Sequence, residues 1–434
     1  MKKQLLLLAL ACVFASQLGA QNAARFFKPV SKDQVVVAES TRRGEFPQKF
    51  DTYQLNFSAV KTALATAPWE FTEAAKAHKC VLSIPLGNGE LEDFAVWEVA
   101  MLDPEAALQS PDIHTYAGVS MKDAHRTVRL STTVRGFRAM VMQPDYSVAF
   151  VEPYAWGQTE FYIAYDRSNA AVNGLRHLRT GVKEDGSVWF GEANELFAPV
   201  PEDRGAEVDP LRLKIYRICI AATGEFSQDH GTTKDEVFAA VTEYTNFVSA
   251  VFERDIDLRV QLIAASKNVV FLDPDTDPYT GVLVTDWMGQ NPEILNTYCN
   301  SLSHDIGHVY ARYITGGAIG VAGGIGVACL ANKGAGCSGG NGVGDYGDFF
   351  LNVVGQEVGH QLGGGHTWNR CGGGGGRDAL AAYEPGSGST IMSYAGACGS
   401  DDVQGYSDLY YNAASIEQIT SFYMFGGVCG SYLQ

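Results

Sequence analysis

The residues best placed for chemistry lie in one stretch, Gly355-Gln356-Glu357-Val358-Gly359-His360-Gln361-Leu362-Gly363-Gly364-Gly365-His366. A helix from Asp348 to about Leu362 would put positions 356 and 360 four apart, on one face. The side chain of Gln356 and the imidazole of His360 could then meet one ion. Gly363 lets the chain turn sharply after the helix, and His366 comes back to the same point. Glu357 stands one residue round from 356, where it can take a proton from a water held there. Two imidazoles, one amide oxygen, an open position and a carboxylate base are the layout of a catalytic metal site.

Other clusters compete poorly. His304 and His308 repeat the four-residue spacing, but no Gly-x-x-His follows them. Asp273, Asp275 and Asp277 alternate before Gly281, without the glycine and distal glutamate of a calcium-binding loop, and read as an ordinary turn. His78, His114, His125 and His177 share no ligand spacing. No Gly-x-Ser-x-Gly or phosphate-binding loop is present.

The elements that must position the site divide into two halves. Residues 21–205 read as β-rich, with strands expected at 127–133, 136–143, 147–151 and 160–165 and one helix at about 59–78. Residues 199–210 are polar and punctuated by proline, as in a linker, and Arg204 there is a plausible processing point. Beyond it come a strand at 213–222, an amphipathic helix at 234–254, a strand at 258–264 and a helix at 414–424. A strand, a long helix and a second strand imply an α/β layer. Of 48 glycines, 23 fall between 316 and 376, so tight turns and close backbone approaches are expected there.

The 434 residues suit two or three domains. A net charge of −17 with no basic block argues against a nucleic-acid partner. Lys2 and Lys3, the apolar run 5–15 and the small residues Gly19 and Ala20 read as a secretory signal over residues 1–20. The other reading makes Cys12 a lipid-anchored N-terminus. No later stretch is long and apolar enough for a transmembrane helix. Export permits disulfides. Nine cysteines, less Cys12, leave eight that could all pair. Position alone suggests Cys371 with Cys398. Cys80 reads as a buried or bonded thiol rather than one that blocks the metal.

The stretch at 356–366 resembles the H-E-x-x-H-x-x-G-x-x-H signature of the metzincin metallopeptidases. Glu357, His360, Gly363 and His366 match it. Gly386-Ser387-Gly388-Ser389-Thr390-Ile391-Met392-Ser393-Tyr394 is similar to the Met-turn of that group, in which the methionine lies beneath the metal. The likeness is closer to secreted bacterial reprolysin-like (adamalysin-type) enzymes, on segments such as 221–225, 276–280, 305–309 and 383–389. It implies an α/β (α+β) catalytic domain over residues 206–434, preceded by a β-rich propeptide-like domain over 21–205. It further implies zinc as cofactor, His360 and His366 as ligands, Glu357 as general base and a protein or peptide substrate. Residues 323–330 would supply an edge strand on which substrate adds as a further strand. The departure is Gln356, which stands where the group has its first ligand histidine. An amide oxygen is a weaker zinc ligand than imidazole, which leaves three expectations: an unimpaired peptidase, a weakened one, or an inactive homologue acting as a secreted binding protein. Tyr394 either packs in the turn or approaches the metal as an extra ligand.

Overall fold

In the computed structural model, residues 26–37, 46–77, 80–170, 179–182, 213–300, 302–312, 318–340, 348–372 and 377–432 are described. The expected signal segment, the linker at 199–210, Arg204, His78 and His177 lie outside them. Contacts divide the chain into Met1–Ala100 with Asp112–Ala171, and Met101–Pro111 with Val172–Gln434.

The first unit is a single nine-stranded antiparallel sheet. Its strands are β1 (Phe27–Pro29), β2 (Asp51–Leu55), β3 (Val81–Pro85), β4 (Leu91–Glu98), β5 (His114–Ser120), β6 (Thr127–Thr133), β7 (Gly136–Met142), β8 (Val148–Pro153) and β9 (Phe161–Asp166). From β3 to β9 the order follows the sequence, a meander, with β2 and then β1 added beyond β9. The four strands expected from β-branched and aromatic runs are β6 to β9. The single helix expected at about 59–78 is instead two, α1 (Phe57–Leu64) and α2 (Glu73–Lys76). Pro68 lies between them and disfavours helical backbone at the residue before it. Cys80 is buried in this unit's apolar cluster with Leu82, Phe94 and Val141, and its thiol donates to the Ala63 carbonyl at 3.7 Å.

The second unit mixes helix and sheet. It opens with the short helix α3 (Pro104–Gln109), capped by Asp103. Its strands are β10 (Arg179–Val182), β11 (Lys214–Ala222), β12 (Leu258–Leu262), β13 (Ile306–Arg312), β14 (Ala318–Ala322), β15 (Gly336–Gly340) and β16 (Ser431–Tyr432). They lie in the order β10-β14-β15-β13-β11-β12, with β16 on the start of β11. All neighbours on that path are parallel except β14 and β15. The helices are α4 (Gly224–His230), α5 (Lys234–Ile256), α6 (Val284–Cys299), α7 (Asp348–Gln361) and α8 (Ala413–Ser421).

Helix α5 shows why local sequence suffices in places. Thr233 accepts from the Glu236 amide while Glu236 reaches back to the Thr233 amide, a capping box. The helix ends at Asp257, held at φ 54°. Its stripe of Val237, Val241, Tyr244, Val248 and Phe252 is buried. Two disulfides, Cys371–Cys398 and Cys329–Cys429, close the C-terminal part. The first was expected from position. Full pairing of all eight cysteines is not what the chain shows, since Cys80, Cys219, Cys299 and Cys337 are unbonded.

Candidate metal centre

Helix α7 is buried along its length from Phe350 to Gln361, so it can hold polar side chains only where the fold gives them something to do. It carries Gln356, Glu357 and His360. At Gly363 the backbone takes φ 102°, and a Cβ there would lie 2.7 Å from the Cβ of Phe422. Any other residue would be strained in conformation and in space. The turn brings His366 back, and its Nε2 lies 3.1 Å from the Nε2 of His360.

The electrostatics of that pair are informative. His360 Nδ1 lies 2.7 Å from the Gly364 carbonyl oxygen, which fixes Nδ1 as the protonated nitrogen and leaves Nε2 with its lone pair. Burial, and then the neighbouring His366, push the His360 pKa well below the ordinary imidazole range. A neutral imidazole with its Nε2 lone pair toward a second ring nitrogen can accept a hydrogen bond from that ring or share a cation with it. Two nitrogens at 2.0–2.1 Å from one tetrahedral zinc would stand about 3.3 Å apart, close to the observed separation.

Glu357 is fully buried, and neither carboxylate oxygen has a hydrogen-bond partner. Burial raises its pKa well above the carboxylate range. Strand β14 runs close beside it. A Cβ on Gly320 would lie 2.7 Å from Glu357 Oε1, so only glycine leaves the carboxylate its place. Glu384 makes the contrast. It too is buried, but its carboxylate accepts from the amides of Ser389 (2.9 Å) and Thr390 (3.1 Å) and from the hydroxyls of Thr367 and Thr390. A carboxylate that supports structure is satisfied, as Glu384 is. The unsatisfied one stands three residues before His360 on α7 and faces Gly320 of β14.

Gln356 is 5% exposed and donates from Nε2 to the Ser393 carbonyl at 3.4 Å. Its amide nitrogen is thus engaged with the turn that follows Met392. Met392 is buried beneath α7, where a Cβ on Gly359 would lie 2.7 Å from its Sδ. Tyr394 packs its ring on His366, with centroids 4.6 Å apart, and stacks on Trp368. Among the described residues, no three His, Cys, Asp or Glu side chains converge.

Two elements of the site were not legible in the sequence. Glu384 ties the loop after His366 to the Met392 turn, and the only hint was an acidic residue among turn formers in Tyr383-Glu384-Pro385-Gly386. Residues 323–330 form turns and bends rather than the expected edge strand, and the strand just before them is β14. β14 is not an open edge. β10 runs parallel along it and also lies against α7.

His304 and His308 do not form a second centre. Spacing of four stacks side chains on a helix, but it separates them by roughly 13 Å in extended chain, and His308 lies on β13. It is fully buried between the Gln361 side-chain oxygen at 2.8 Å and the Ser338 hydroxyl at 2.9 Å. The histidine therefore sews β13, β15 and α7 together. Burial pushes its pKa down to about 4, against about 6.5 unfolded. The unfolded chain therefore binds the extra proton. Stability is full above about pH 6.5 and falls by up to about 3 kcal/mol as pH drops towards 4. His304, also lowered to about 4 by burial and then by Lys333, adds to the loss in the same window. Urea unfolding between pH 7 and 4.5 checks this. His308→Gln should flatten the pH dependence, and an unchanged slope would refute it.

Residues 212–421 match the family described as Metallo-peptidase family M12B Reprolysin-like. No curated relative matches the chain. A solved structure described as "Structure of a chaperone-substrate complex" is 12% identical, with a TM-score of 0.29 over 48% of this chain. The match covers 35% of that structure's chain, and the likeness is too slight to bear on the fold.

Proposed function

The chain carries over residues 212–421 a domain of the reprolysin-like M12B metallopeptidase family, and on that premise we propose that it is a secreted zinc-dependent metalloendopeptidase hydrolysing peptide bonds in proteins. Two observations carry the reading: Glu357 is a fully buried carboxyl with no hydrogen-bond partner, and His360 and His366, on the same helix and on the turn after it, bring their Nε2 atoms to 3.1 Å. Left as structure, such a carboxyl is a cost of several kcal/mol at most sites. As a base it has a use.

His360 and His366 would hold zinc, with Gln356 as a weak third donor. The chemistry zinc supplies when bound is Lewis acidity at the peptide carbonyl. Glu357 takes a proton from the attacking water and passes it to the leaving amine nitrogen. The Gly364 carbonyl keeps the His360 ring in the tautomer that binds. Met392 supports α7 from below, and Glu384 holds the loop that returns His366. Residues 1–20 act as the signal peptide and 206–434 as the catalytic domain.

Residues 21–205 act as a propeptide-like domain. β10 lies on β14 and beside α7, on the edge where an extended substrate would add. Cutting the chain between β10 and β11, and releasing β10, should raise hydrolysis of an unfolded protein by roughly 10- to 100-fold. A site open in only a small fraction of molecules loses that factor in apparent affinity. The gain should vanish with a zinc chelator. Equal rates before and after release would show that β10 does not cover the site, and no chelator-sensitive cleavage at all would defeat the peptidase reading.

One observation favours a second reading. The Gln356 amide donates to Ser393, which suits an inactive homologue that uses the same scaffold as a secreted binding protein. The absence of bound zinc after dialysis would decide for it.

A further inference from the structure

We infer that Cys219 and Cys299 form a third disulfide in the mature protein. Cys219 lies in the middle of β11, and Cys299 is the last residue of α6. They are 0% and 4% exposed and share one apolar cluster with Trp287, Leu295 and Val309. Their Sγ atoms stand 2.6 Å apart. Unbonded heavy atoms in apolar packing rest at roughly 3.5–4.0 Å. Two thiols on rigid elements do not keep so short a separation, whereas a covalent pair sits naturally there.

Cys337 cannot take the place of Cys299 as the partner of Cys219. Cys337 is on β15, and β13 lies between β15 and β11. Two strand spacings are roughly 9.6 Å, beyond the ~7 Å between Cα atoms that a disulfide can bridge.

The reaction is thiol–disulfide exchange. Two Sγ–H bonds break and one Sγ–Sγ bond forms. The two electrons and two protons pass to a small-molecule or protein disulfide, which is reduced to two thiols. Burial, and then the contact with Cys299, push the Cys219 pKa well above the ordinary thiol range. The closed fold therefore offers little thiolate and no access for an oxidant. The bond forms while α6 is still closing on β11, and an oxidising compartment is needed at that moment. Once made, it ties a central strand of the sheet to α6, which packs on β13, β14 and β15. This inference does not rest on the peptidase reading.

The test is cysteine mapping of the full chain folded with oxidised and reduced glutathione. The protein is unfolded with iodoacetamide and no reductant, then digested and weighed. The expected result is a cross-linked pair of peptides holding Cys219 and Cys299, with Cys80 and Cys337 alkylated. Alkylation of both Cys219 and Cys299 in the folded pool overturns the inference, as does either one joined to a different cysteine. In Cys219→Ser, Cys299 should become alkylated while Cys329–Cys429 and Cys371–Cys398 stay linked. An unalkylated Cys299 in that variant also overturns it.

Discussion

Glu357→Gln is expected to lower peptide-bond hydrolysis by at least about 10³-fold, in line with the loss of a positioned general base, with bound zinc unchanged. The substitution keeps the size of the side chain and removes only its ability to carry a proton away from water. Stability gives a second signature. Both oxygens of Glu357 are buried and unpaired, so Glu357→Leu removes a desolvated polar group from an apolar setting. That variant should be no less stable than the parent, and more stable by about 1–2 kcal/mol. A residue conserving structure behaves in the opposite way. Glu384→Leu strips five donors of their acceptor and should destabilise by about 3 kcal/mol or more. Urea unfolding of the two leucine variants, beside a rate assay of Glu357→Gln, checks the assignment. A Glu357→Leu protein that unfolds as readily as Glu384→Leu would make Glu357 a structural residue.

Gln356→His is expected to tighten zinc binding by at least about 100-fold, because an imidazole nitrogen replaces an amide oxygen as the third donor. Position 356 is one helical turn before His360 on a rigid, buried helix, so the new ring starts on the correct face. The cost is one hydrogen bond to Ser393, worth about 1 kcal/mol, which is small beside the gain. Chelator competition measures the affinity directly. Hydrolysis should rise with it wherever zinc is limiting. An affinity equal to that of the parent would mean that position 356 does not face the metal, and that the hydrogen bond to Ser393 describes its whole role.

The sequence was most legible where local signals agree with tertiary needs. The spacing of Gln356, Glu357 and His360 requires a helix, and α7 spans Asp348–Gln361. Strands β6 to β9 read as strands because their β-branched and aromatic runs end in turn residues. Strand β15 could not be read that way. Its sequence is Gly-Cys-Ser-Gly-Gly, with little intrinsic strand preference, and it is fully buried between β13 and β14. A Cβ on Gly336 would lie 2.4 Å from Gln361 Oε1 and 2.5 Å from His308 Nδ1, so the glycine serves close packing against α7. Helix α6 is not legible in the sequence because Gly289 and Pro292 interrupt its pattern. The cover that β10 lays on β14 joins residues far apart in sequence, and no local signal encodes it. Glu384 lies in a segment rich in turn formers, but its role needs the three-dimensional convergence of Thr367, Ser389 and Thr390.

The central claim is that His360 and His366 hold a metal for Glu357 to work beside. The most direct test is the zinc content of the purified, dialysed chain after loading with one equivalent of zinc, compared with His360→Ala and His366→Ala. The account predicts zinc retained by the parent and lost from both variants, while all three proteins unfold cooperatively. Zinc absent from the parent, or retained equally by the variants, would contradict it.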